Sequence, residues 1–522
     1  MNSYLRTTWH SKLWLSLTAG LLLGLSFPPF PFPFLTFPAF LLLFRVIDLC
    51  SSAREAAFWS YLGFLLWNII ATYWLIFATV AGGVAAILAN AAVMTIPVML
   101  QYQFQRSKLP PWLIALFQAA AWISFEYLHH HWQLSWPWLT VGNAWANAPD
   151  VIQYLSITGL WGVSFWVLFT AALGYQAIVR SNNKPAFIGG TVLLGMPLLS
   201  LVLLLTKPPA QSTNHHQVLV VQPNFDSYHR YGGFASGSQA IEHLLQLSDS
   251  IRTSRTDLIV WPENAIQTNI SNRDSLGIGA EYTKQRLSQK AREWDTRIIG
   301  GATYFEFYTS ANAPDLPYYT VENRPYLPFN SALNFSPDQS IQVYRKHNLV
   351  PIVERIPYVR YLNAIDIFGW VQWNQIQGYG RGKIANPLDV GQTATPALIC
   401  YDSVYPSWTR KFNQQGSGYL TIITNDGWWG NTSGHAQHFA YARLRAIELG
   451  RWVVRSANNG ISGIIAPDGS VKVATSYKET TAFIYQIPIL TNQTWYSRYG
   501  DWLAYLLLTL AAGRWGYLFF RK

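Results

Sequence analysis

Apolar residues fill long stretches towards both ends of the chain, and shorter, strand-length runs lie between them. Stretches near 13–27, 32–47, 56–78, 80–102, 111–128, 159–179, 186–206 and 501–519 approach the ~20 apolar residues that a helix needs to cross a bilayer. The first two are short and flank Pro28-Pro29-Phe30-Pro31-Phe32-Pro33, so two spans and one re-entrant hairpin both fit. The first does not read as a cleaved signal, because it lacks a small-residue cleavage site and runs into more apolar sequence. From about 216 the pattern changes. Runs at 218–222, 258–261, 297–300, 397–400, 420–423 and 452–455 predict strands, and 239–251, 282–293 and 438–448 predict helices. The alternation predicts a layered α/β or α+β domain with helices covering sheets. The expected organisation is a seven-helix membrane domain over 1–207, a globular domain over 208–495 and a last membrane helix over 496–522.

Composition agrees with that division. Half of the 522 residues are hydrophobic and 12% are charged, about half the ~25% usual in soluble proteins. The net charge of +11 comes without a dense basic patch interleaved with aromatics, which excludes a nucleic-acid surface. Much of it lies in short loops. Arg6 and Lys12 precede the first segment, and Arg45 and Arg54 separate the second from the third. Arg106 and Lys108 follow the fourth, Arg180 and Lys184 the sixth, and Arg521 and Lys522 the eighth. The loops after the first and third segments carry no Lys or Arg. Because positive loops stay inside, both termini are expected in the cytoplasm and the 208–495 domain on the opposite face. In a bacterium that face is the periplasm or exterior.

Within the membrane part, the Trp- and His-rich stretch 129–158 predicts a loop in the headgroup layer, where amphipathic aromatics concentrate. Three consecutive histidines, His129 to His131, do not make a metal site, since adjacent side chains point apart. Glu126 is costly at its depth and needs either a buried structural hydrogen bond or a role with substrate. Gly20-Leu21-Leu22-Leu23-Gly24 predicts a close helix-packing face.

Two cysteines cannot form a disulfide framework. Cys50 borders a membrane segment, whereas Cys400 ends a strand-like run, which makes it a free thiol where a strand gives way to a loop. The thiolate is the reactive form. Glu263, in Val260-Trp261-Pro262-Glu263, could take its proton, and Lys346, in Tyr344-Arg345-Lys346-His347, could stabilise a thiolate or oxyanion. Spacing alone leaves open a buried cysteine and two unrelated charges. Trp428 and Trp429 fit equally a core or a lipid-contacting loop. No glycine-rich phosphate loop or dinucleotide fingerprint is present, so no nucleotide cofactor is expected.

Several motifs together decide between those readings. Val260-Trp261-Pro262-Glu263, Tyr344 to Pro351 and Leu398-Ile399-Cys400-Tyr401-Asp402 resemble, in order and spacing, the nitrilase (carbon–nitrogen hydrolase) superfamily. Thr424-Asn425-Asp426-Gly427-Trp428-Trp429-Gly430 and Arg455-Ser456-Ala457-Asn458-Asn459-Gly460 resemble two further signatures of it. With its apolar segments, and with Trp122 to Glu126, Trp136-Pro137-Trp138 and Gly159 to Ser164, the whole chain resembles the apolipoprotein N-acyltransferase family. That resemblance implies an αββα sandwich and a Glu263–Lys346–Cys400 triad. It implies accessory, oxyanion-stabilising or substrate-positioning places for Glu354, Tyr401 and Asp402, with no metal and no cofactor. It further implies that a membrane phospholipid donates an acyl chain to Cys400, and that the α-amine of a diacylated apolipoprotein takes it from the thioester. Two positions depart from the family's pattern: Val353 stands where Gly usually precedes Glu354, and Asp402 where Glu usually follows the nucleophile by two. The shorter Asp402 leaves its reach to Lys346 open. Alternatives are a membrane-tethered amidase, in which water resolves the thioester, and a non-catalytic lipid- or lipoprotein-binding protein.

Overall fold

The computed structural model describes residues 2–180, 183–206, 212–273, 278–314, 318–321, 324–365 and 378–520. The chain forms two compact units, one of 1–207, 432–448 and 494–522, the other of 208–431 and 449–493.

The first unit is helical. Each apolar stretch read from the sequence coincides with helix: Asn2–Ser26, Thr36–Leu49, Ala53–Thr72, Val80–Val93 with Thr95–Gln105, Pro111–His129, Leu160–Arg180, Asn183–Thr206 and Trp502–Phe520. Three described helices are long and apolar enough to cross a membrane: Val80–Gln105, Leu160–Arg180 and Asn183–Thr206. Thr36–Leu49 has 14 residues and reaches only about 21 Å at ~1.5 Å per residue. The terminal residues Arg521 and Lys522 lie outside the described residues. A Cβ on Gly20 would strike the Gly63 carbonyl, and one on Gly24 would stand 2.6 Å from Ile70, so this small-residue face packs Asn2–Ser26 against Ala53–Thr72.

Helix Ser433–Leu449 belongs to this unit up to Glu448. Its Gln437 Oε1 accepts from the indoles of Trp74 at 3.1 Å and Trp138 at 2.6 Å. Gln437 Nε2 donates to the carbonyls of Pro28 at 2.8 Å and Ala71 at 2.9 Å. The Trp136-Pro137-Trp138 segment is therefore partly core: Trp138 is 1% exposed, whereas Trp132 is 38% exposed. His129 to His131 each bond differently, to Asn90, Thr140 and the Tyr127 carbonyl. Glu126 Oε1 accepts from Trp122 Nε1 at 2.9 Å and Val141 N at 2.8 Å, the structural hydrogen bonding that its burial demands.

The second unit holds two main sheets. The larger, mixed one runs Thr481–Pro488, His215–Gln222, Leu258–Val260, Arg297–Phe307, Arg324–Phe335, Tyr319–Val321, with Ile266–Ser271 on Arg297–Phe307 and Ile341–Arg345 on Arg324–Phe335. Its central strands His215–Gln222, Leu258–Val260 and Arg297–Phe307 are parallel. Leu219, Val221, Ile259, Trp261 and Ile298 pack on one face with Ile241 and Leu244 of helix Gly237–Asp249 and Leu287 of helix Ile278–Glu293. Val218, Val220, Leu258, Val260 and Ile299 point the other way and are equally buried. Burial on both faces explains why these strands read as unbroken apolar runs. The smaller sheet orders Ala397–Ile399, Leu420–Thr424, Val453–Ala457, Gly463–Ile465 and Val471–Ala474, the first three parallel. Ser456 Oγ ties it to the larger sheet by donating to the Val221 carbonyl at 2.8 Å.

Candidate active site

Strand ends carry the candidate side chains. Glu263 lies three residues beyond Leu258–Val260, Lys346 directly follows Ile341–Arg345, and Cys400 directly follows Ala397–Ile399. After Glu263 the chain turns through Asn264, whose φ is 56°. Gly301 faces that turn, and a Cβ there would lie 2.5 Å from Glu263 Cα and 2.7 Å from Asn264 N. Lys346 is fixed at its backbone, its N–H donating to the Asn330 carbonyl at 2.9 Å and its carbonyl accepting from Gly382 N at 2.8 Å. Cys400 opens the 3₁₀ turn Cys400–Val404 with a left-handed φ of 47°. That conformation is strained for a non-glycine residue by roughly 1–3 kcal/mol, and the buried parallel strands around it hold it there.

The structure brings Glu263, Lys346 and Glu354 into one cluster. Lys346 Nζ donates to Glu354 Oε1 at 2.8 Å and lies 3.4 Å from Glu263 Oε1. Asn330 Nδ2 donates to both of those oxygens, at 2.7 Å to Glu263 and 2.8 Å to Glu354. The second oxygens are held by backbone, Glu263 Oε2 by Asn425 N at 2.9 Å and Glu354 Oε2 by Val350 N at 2.7 Å. Cys400 is within electrostatic range of both Glu263 and Lys346 and bonds to the Thr424 hydroxyl.

Burial governs the protonation of this cluster. Lys346 is 1% exposed, and burial alone would strip its proton. The charges of Glu354 and Glu263, and a hydrogen bond to Glu354, overcome that and hold the ammonium well above its usual range. Burial pushes the Glu263 carboxyl up; Lys346 and the donors Asn330 and Asn425 oppose this, while the Glu354 charge adds to it. Burial, reinforced by the Glu263 charge, also pushes the Cys400 thiol up against the pull of Lys346. Burial thus favours the protonated form of the Cys400 thiol and raises the proton affinity of the Glu263 carboxylate.

The other sequence-derived residues lie close by. Asp402, 0% exposed, accepts from Tyr344 OH at 2.6 Å, Asn348 N at 2.7 Å, Asn348 Nδ2 at 3.0 Å and His347 N at 3.4 Å. These hydrogen bonds come from groups that immediately flank Lys346, and the ammonium acts on Asp402 through its charge. Tyr401 is buried edge-on to Tyr405, with ring centres 5.2 Å apart. Trp428 is 37% exposed, and its ring stands edge-on to Tyr228. Cys50 and Cys400 are both free thiols. Sequence reading missed Asn330. It sits inside Arg324–Phe335, a strand disguised by Pro325 and Pro328; a buried Asn in a strand, where Asn is disfavoured, was the available signal.

Residues 220–496 match the family described as carbon-nitrogen hydrolase. The chain belongs to the carbon-nitrogen hydrolase family. Ahead of that carbon-nitrogen hydrolase region, residues 19–173 match the apolipoprotein N-acyltransferase N-terminal domain. Relatives share both parts. The apolipoprotein N-acyltransferase of Chlorobaculum tepidum is 28% identical across 95% of this chain and 94% of its own. Apolipoprotein N-acyltransferase 2 of Treponema denticola is 27% identical across 91% and 90%. The apolipoprotein N-acyltransferase of Bradyrhizobium diazoefficiens is 29% identical across 75% of this chain and 71% of its own.

Proposed function

We propose that this carbon-nitrogen hydrolase family member is an N-acyltransferase that acylates apolipoproteins, with Cys400 as the acyl carrier. The observation that carries the mechanism is the buried Glu263–Lys346–Glu354 cluster held at strand ends beside Cys400. In the first half-reaction Glu263 takes the thiol proton as Cys400 Sγ attacks the ester carbonyl of a membrane phospholipid. The Lys346 ammonium stabilises the oxyanion. Collapse breaks the ester bond, Glu263 returns the proton to the leaving alkoxide, and a lysophospholipid departs from the thioester. In the second, the α-amine of the diacylglyceryl-cysteine of an apolipoprotein attacks the thioester carbonyl. Glu263 takes a proton from the amine and gives it to the departing thiolate, leaving an amide and the resting thiol. Two moderate barriers replace one large one. Glu354 and Asn330 position Lys346 and Glu263, and Asp402 orients the Lys346 segment.

The apolar segments and the alternation of Lys and Arg in the loops between them support an eight-helix membrane anchorage in a bacterial cytoplasmic membrane. On that reading both termini are cytoplasmic, and the 208–495 domain faces the periplasm or exterior.

Purified protein with a labelled phospholipid should form a hydroxylamine-sensitive acyl adduct, absent in Cys400→Ala. A diacylated lipopeptide should consume it and appear as triacyl product. An adduct in Cys400→Ala rules out the mechanism, and release of free fatty acid in place of product points to the amidase.

A further inference from the structure

A 250 Å³ pocket in the second unit adjoins the catalytic carboxylate. Its wall includes Asn425, whose N–H holds Glu263 Oε2, and Asn264, the residue after Glu263. Five amide side chains, Asn264, Gln267, Asn269, Asn425 and Asn458, line it together with the apolar or aromatic Phe225, Ile266, Tyr379 and Trp428. Asn264 and Asn269 line the pocket and make no side-chain hydrogen bond among the described residues, so their amides are open to a ligand. The lining contains no Lys or Arg, and its one carboxylate is Asp226. His229 is also present, but its Nδ1 stands 2.7 Å from Asp226 Oδ2, so any charge it carries is already paired.

The reaction brings three chemistries to the site: acyl tails, a phosphodiester and a polypeptide. An acyl tail packed here would cover the Asn264 and Asn269 amides without offering them hydrogen bonds, an unfavourable exchange. A phosphodiester would find no Lys or Arg in the lining, and the one other basic group there, His229, is already engaged by Asp226. Peptide groups pair donor for acceptor with Asn and Gln amides, which carry both. We infer that this pocket is the subsite for the first residues of the acceptor polypeptide, those that follow its acylated cysteine. The inference rests on the proposed acyl transfer. It places recognition of the acceptor chain on the strand-end turn that carries the catalytic base, so a seated peptide brings its own amine towards the thioester.

The test compares two acceptors with full-length protein already charged with a labelled acyl chain: a diacylated lipopeptide of five residues and a diacylated cysteine amide with no following residue. Losing a hydrogen bond worth ~0.5–1.5 kcal/mol raises KM by about 2- to 10-fold. Asn269→Ala, at an exposed position, should raise KM for the lipopeptide by that factor while KM for the cysteine amide stays put. Asn269→Trp, which fills the pocket, should abolish the preference for the longer acceptor. Equal change for both acceptors, or no change for either, overturns the inference. So does a slower adduct formation from phospholipid, which would assign the pocket to the donor. Failure of the wild-type protein to form any adduct is a separate result and removes the acyl-transfer reading itself.

Discussion

Asn330 bridges two carboxylates of the proposed catalytic cluster without being a proposed reactive group itself. Its amide donates to Glu263 and Glu354 at once, keeping two carboxylates on either side of one ammonium. Hydrogen bonds to charged groups are worth ~1.5–3 kcal/mol each, so Asn330→Leu should lower the rate of adduct formation about 10- to 100-fold. Its pH profile should shift as well, because Glu263 loses a donor that pulls its pKa down. A change in stability with an unshifted profile would assign Asn330 to packing alone. Asp402 offers a different test. Burial, opposed by the Tyr344 and Asn348 bonds, raises it from 3.8 to about 6. A raised acid stabilises the fold most below its unfolded pKa, and that contribution is lost as pH climbs through the folded value. Between about pH 4 and pH 7 the wild type should therefore lose roughly 2 kcal/mol relative to Asp402→Asn. Unfolding of both proteins in detergent at the two pH values measures this gap, and a gap that stays constant contradicts the raised pKa.

The elements matter because the cluster is assembled from the ends of three strands. Gly301, in Arg297–Phe307, has no room for a methyl group beside the Glu263 backbone. Gly301→Ala should push the Glu263 turn outward and cut activity by about tenfold or more, since small misplacement of reacting groups is costly. Gly516→Ala, where a Cβ meets nothing within 4 Å, is the matched control and should leave the rate unchanged. Strands such as Leu258–Val260 and Leu420–Thr424 were legible because burial on both faces makes them continuously apolar. Arg324–Phe335 and Thr481–Pro488 were not. The first carries Pro325, Pro328, Asn330 and Asn334, and the second has mostly half-buried positions, so neither shows a clean period.

At the scale of the whole molecule, the chain crosses between its two units four times, near 207, 431, 448 and 493. Helix Ser433–Leu449 lies inside the sequence span of the carbon-nitrogen hydrolase match, yet through Glu448 it belongs to the helical unit. Gln437 is its anchor, using both acceptor sites and both donors of one amide. Gln437→Ala would remove one hydrogen-bond partner from each of two buried indole N–H groups and two backbone carbonyls, of which the Trp74 indole and the Ala71 carbonyl still keep each other. The expected cost is about 2–4 kcal/mol, read as a lower unfolding temperature in detergent. Gln437→Glu should recover part of it, because the carboxylate still accepts from both indoles. Equal stability of Gln437→Ala and wild type would show that the helix is held by packing alone.

The amino-acid sequence by itself determined the apolar segments and the strand-rich domain between them, and it singled out Glu263, Lys346 and Cys400 as candidates. Each is written locally, in a hydrophobic period or in a short motif next to a strand. Tertiary structure decided what no local signal encodes. It joined Glu263, Lys346, Glu354 and Asn330, residues up to 91 positions apart in sequence, into one hydrogen-bonded cluster. It directed Asp402 to Tyr344 and Asn348, and it set Gln437 among four partners distant in the chain. Hydrogen bonds between buried polar groups depend on where separate elements end in space, and burial fixes the charge that each group carries. Those are properties of the folded chain.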